Sequence, residues 1–83
     1  MVTKEDLAIA QECMGHAHRL RNAADGLREQ IAGYREEIKR CGDAQVRAHL
    51  LEAIVRCQDG ATLCDSRADV WANEAECWES GKY

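Results

Sequence analysis

The chain predicts an all-α fold, an antiparallel two-helix hairpin of coiled-coil type that is expected to assemble into a four-helix bundle or a higher oligomer. Three observations carry that prediction. The sequence has no proline and shows two long segments whose apolar residues recur at helical spacing. One short break, Gly42-Asp43-Ala44, separates them. Folded back about that break, the two apolar repeats interlock.

The first helix is expected over residues 3–41. Thr3 followed by Asp6 has the form of a capping box, and Glu5 and Asp6 put negative charge where the helix dipole favours it. In heptads abcdefg, Ala10, Ala17, Ala24, Ile31 and Ile38 occupy a, and Cys13, Leu20, Leu27, Tyr34 and Cys41 occupy d. Lys39 and Arg40 suit the last turn, and Gly42 suits the residue just beyond the cap.

The turn is expected at 42–44, with Asp43 capping a second helix over residues 45–79 that leaves through Ser80-Gly81. Here Ile54, Ala61, Ala68 and Ala75 fall at a, and Leu50, Cys57, Cys64, Trp71 and Trp78 at d. Facing residues then have numbers that sum to 88, which sets Ala10 against Trp78, Ala17 against Trp71, Ile31 against Cys57 and Tyr34 against Ile54. Large side chains meet small ones, as an interdigitated core requires. Four glycines, Gly15, Gly26, Gly33 and Gly60, lie inside these helices and each costs roughly 1 kcal/mol relative to alanine. Asp59-Gly60 is a turn dipeptide, yet the apolar phase runs through it unchanged, so a continuous helix is expected. Gly26 and Gly33, seven apart, suggest a place where another helix approaches.

In its short Gly/Asp turn and its layers of alternating small and large residues, the pattern resembles the Rop family of plasmid RNA-binding hairpins, which dimerise into four-helix bundles. This chain is longer by several turns and no functional residue aligns. The resemblance therefore implies architecture alone.

At 83 residues the chain is one domain, and a lone hairpin buries a single seam. Ile9, Met14, Leu51, Val55, Leu63 and Val70 remain outside that seam, which favours self-association as a homodimer or higher oligomer. No apolar run reaches the roughly 18–20 residues of a membrane span, and the start has no signal-peptide character, so a cytoplasmic protein without membrane contact is expected. The odd count of five cysteines, mostly at core positions, reads as small buried hydrophobes and not as a disulfide framework. Cys13 with His16, and Glu74 with Cys77, form i, i+3 pairs on facing helices, the one place where a metal would be sought. Residues of this kind are usually structural, and Cys13 is expected in the core with His16 beside Glu74 at the rim. No cofactor is expected.

Arg21, Arg28 and Arg35 recur every seven residues at e, a stripe beside the core. Asp65 is expected to pair with Arg21, leaving Arg28 and Arg35 free to take RNA or a nucleotide. The net charge of −4 disfavours that use, so nucleic acid is possible and not preferred. Acidic residues crowd the end that holds both termini, and Asp65, Asp69 and Glu76 are candidates for meeting a basic partner. No nucleophile elbow or phosphate-cradling loop is present, and the chain is not expected to be an enzyme. The function that fits best is a small non-catalytic interaction protein, a regulator, inhibitor or viral accessory factor that binds another protein.

Overall fold

The computed structural model describes all 83 residues as two helices, α1 (Lys4–Arg40) and α2 (Ala44–Glu79), packed side by side with no strand. The result is a rod of 63 × 14 × 11 Å. It is the hairpin that the heptads predict, and no helix in it is long and apolar enough to cross a membrane.

Local chemistry sets each helix end. Thr3 accepts the Asp6 amide at 3.1 Å on its side-chain oxygen, and Asp6 accepts the Thr3 amide at 3.1 Å, closing a capping box. At the turn, Asp43 is extended and its carboxylate accepts the amides of Gln45 and Val46 at 2.8 and 3.1 Å. At the far end Gly81 takes φ 72°, and the Lys82 amide donates back to the Cys77 carbonyl at 3.0 Å. That is the closing bond of a Schellman motif, and the left-handed backbone it needs is why a glycine stands there. Gly42 departs from expectation. It has no positive φ, and α1 ends instead in an extended Cys41, whose carbonyl accepts the Arg47 guanidinium at 2.8 Å. A side chain from the next helix thus satisfies the carbonyl of the capping residue, while the Cys41 amide closes the last turn on the Ile38 carbonyl at 3.2 Å.

Both helices run unbroken through their glycines. At Gly60 the reason is contact: a Cβ there would meet Leu27 Cδ1 of the opposite helix at 3.1 Å. Gly26 and Gly33, by contrast, have open space around them, so the approaching helix that their spacing suggested is no part of this chain.

The seam holds ten buried side chains, six of them alanine. Ala10, Cys13 and Ala75 cluster near the termini with Ile9, Met14 and Trp78 against them. Ile31, Ile54 and Cys57 cluster near the turn with Leu27, Tyr34 and Ile38. These groupings contain the layers Ala10 with Trp78, Cys13 with Ala75, Ile31 with Cys57 and Tyr34 with Ile54. One expectation fails. Trp71 does not sink into the seam over Ala17 but remains 37% exposed, with its ring against His16 at a centroid distance of 4.5 Å. Ala17 is nonetheless fully buried.

Candidate functional site

The arginine stripe is the first feature whose pairing the structure changes. Arg28, not Arg21, bonds Asp65, and Arg28 also reaches Asp25 at 3.2 Å on its own helix. Arg21 pairs at 3.8 Å with Asp69. The cause is side-chain direction. Helical side chains lean toward their own N-terminus, so in an antiparallel pair residues at the same level lean apart, while Arg28 and Asp65, offset by several residues, lean toward each other. The hydrogen bond to Asp65 and its charge push the Arg28 pKa above the ordinary value. Two candidate acids, Asp65 and Asp69, are therefore engaged within the chain, while Glu76 is exposed.

Arg35 is in no ion pair. It stands where two grooves meet on one side of the seam. The first, of about 360 Å³, is lined by Arg28, Arg35, Gln58 and Thr62 over Ile31 and Ala61. The second, of about 560 Å³, is lined by Ala32, Ile38, Leu51 and Ile54, with Arg35, Glu36 and Lys39 at its edge. Lys39 is held at 3.0 Å by Glu36, whereas Arg35 has its guanidinium unengaged between a polar groove and an apolar one.

At the opposite end the four residues considered for a metal do not converge, and no three His, Cys, Asp or Glu side chains form a group able to hold one. Cys13 is buried, and burial first, then the charges of Glu74 and Glu12, push its thiol pKa up. Metal ligation needs the thiolate, which this setting disfavours. His16 does not meet Glu74; it stacks on Trp71 and its Nδ1 lies 2.8 Å from the Arg19 guanidinium. Glu74 instead accepts the Tyr83 hydroxyl at 2.8 Å, and the Tyr83 ring packs at a tilt against Trp78 with a centroid distance of 4.7 Å. Cys77 is half-buried, and all five cysteines are free thiols.

This C-terminal clasp of Glu74, Trp78 and Tyr83 is a feature that heptad reasoning missed. Its signal was Gly81, a residue able to turn the chain back so that Tyr83 returns over the preceding turns. The bond to Glu74, ahead of desolvation and that carboxylate's charge, pushes the Tyr83 pKa up to about 12. No protein-family model matches the chain, and no curated protein or solved structure is detectably similar to it.

Proposed function

We propose that this chain is a small non-catalytic helical interaction protein, acting in the cytoplasm by binding another protein as a regulator or inhibitor would, and associating with itself. The observation that carries this reading is the set of large aliphatic side chains left outside the seam: Leu51, Val55, Leu63 and Val70 are 51–66% exposed. Single exposed aliphatics are ordinary, but these four and Val46 on one 36-residue helix, in a chain that buries only ten residues, leave apolar area suited to being covered.

Other features support the same reading. The grooves are open to solvent and lie along the outside of the helix pair, as docking surfaces do. The buried thiol of Cys13 is held protonated, unsuited to nucleophilic work. Five free thiols fit a reducing compartment. The nucleic-acid reading is weakened by Asp65 and Asp69, which neutralise two of the three stripe guanidiniums.

The test is affinity capture from the native host with tagged full-length protein, beside variants carrying Leu51→Lys with Val55→Lys, or Leu63→Lys with Val70→Lys. One stoichiometric protein partner is expected, lost with one pair and kept with the other. Capture of no protein, or of the same proteins by both variants, overturns the proposal. Sedimentation tests self-association: a mass of 9.3 kDa at high concentration would remove that part.

A further inference from the structure

The arginines of the stripe recur every seven residues along the seam, whereas the two acids that pair with them lie four apart. Arg21 finds Asp69 and Arg28 finds Asp65, each pair formed by side chains leaning toward one another from offset levels. One heptad further toward the turn, the arginine is Arg35 and the residue seven before Asp65 is Gln58. At the offset that gives Arg28 its carboxylate, Arg35 therefore has an amide. Arg28, Arg35 and Gln58 line one groove together, so a guanidinium in no ion pair borders open space there.

The same guanidinium borders the apolar groove floored by Ala32, Ile38, Leu51 and Ile54, and Leu51 is half exposed there. A ligand that reaches Arg35 is thus also beside an aliphatic surface. Carboxylate and aliphatic side chains three or four positions apart on a helix are about 5–6 Å from each other, a spacing that can serve two adjoining grooves at once. We propose that the grooves meeting at Arg35 seat an amphipathic helix of another protein, which gives a carboxylate to Arg35 and, one turn away, a large aliphatic side chain to the groove of Leu51 and Ile54.

The proposal rests on the protein-binding reading above and names the partner's chemistry. A polyanion is the poorer occupant, because the chain carries a net charge of −4, the second groove is floored by aliphatic side chains, and the Lys39 at its edge is already paired with Glu36.

The full chain, immobilised, is used to select from a random peptide display library, in parallel with Arg35→Glu and Leu51→Lys variants whose circular dichroism and melting match the parent. Peptides with Asp or Glu three or four positions from Leu, Ile or Met are expected. They should bind Arg35→Glu at least about tenfold more weakly, and selection on that variant should enrich Lys or Arg in place of the acid. Selected peptides that lack the acid, or bind both variants as well as the parent, overturn this site while leaving protein binding elsewhere intact. Failure to enrich any peptide overturns the site and removes support from the wider reading. A short oligoribonucleotide that binds the parent and is lost with Arg35→Glu overturns it in favour of nucleic acid. A sedimentation mass twice 9.3 kDa that halves in the Leu51→Lys variant overturns it in favour of a second copy.

Discussion

The half of the rod near the turn and the half near the termini are built on the same heptads and packed in different ways. Near the turn, Ile31, Ile54 and Cys57 interlock with Leu27, Tyr34 and Ile38, so the buried groups include two isoleucines beside the small Cys57, Ala24 and Ala61. Near the termini the fully buried groups are alanines, Ala10, Ala17, Ala68 and Ala75, with the indole of Trp78 packed against the cluster of Ala10, Cys13 and Ala75 and that of Trp71 partly exposed against His16. The aliphatic half gains stability from the apolar area inside it. The alanine half gains it from close helix approach and from aromatic side chains that lean on other exposed residues, His16 under Trp71 and Tyr83 over Trp78. A repeat of apolar positions therefore defines where helices touch, and side-chain size at those positions decides how closely.

Substitutions that exchange the two packing styles test this contrast most strongly. Ile54→Ala, in the aliphatic half, should cost about 2–5 kcal/mol by urea denaturation, because a buried aliphatic leaves a cavity. Ala68→Leu, in the alanine half, should cost about 1–3 kcal/mol by forcing the helices apart. Equal tolerance of leucine at Ala68 and of alanine at Ile54 would show that the halves do not differ. Trp71→Ala should lose less than the roughly 3–5 kcal/mol typical of a core tryptophan. A loss in that full range would show Trp71 buried by assembly.

Smaller changes sharpen the comparison. Gly33→Ala, on a face with open space around the glycine, should raise stability by about 0.4–1 kcal/mol through helix propensity and a less flexible unfolded chain. Destabilisation there would reveal a neighbour packed against the glycine, such as a second copy. The smallest effect belongs to the clasp. Tyr83 titrates higher in the folded chain, up to about 12 against an ordinary 10.0, so its bond to Glu74 contributes below pH 10 and is lost as pH rises through about 12. Trp78 fluorescence should change over that window, and Tyr83→Phe should abolish the change. A midpoint near 10 in the parent would mean that the hydroxyl is free.

The helix ends were legible because capping is local. Thr3 with Asp6, Asp43 with the amides after it, and Gly81 each act within a few residues. The candidate site was legible only as a stripe. Pairing residues by level gave Asp65 to Arg21, and the direction in which side chains lean gave it to Arg28, leaving Arg35 as the unengaged guanidinium. Likewise the close contact of Leu27 with Gly60 explains a glycine that propensity alone counts as a cost.

By itself the order of residues determined two helices, one turn, the face each helix turns to the other and the caps that stop them, since all of these follow from interactions a few positions apart and from a 3.6-residue period. The depth to which each side chain sinks, the partner each arginine finds and the grooves that meet at Arg35 were decided only when the helices came together. Those properties depend on the distance and offset between two surfaces, set by the combined size of all the side chains in the seam.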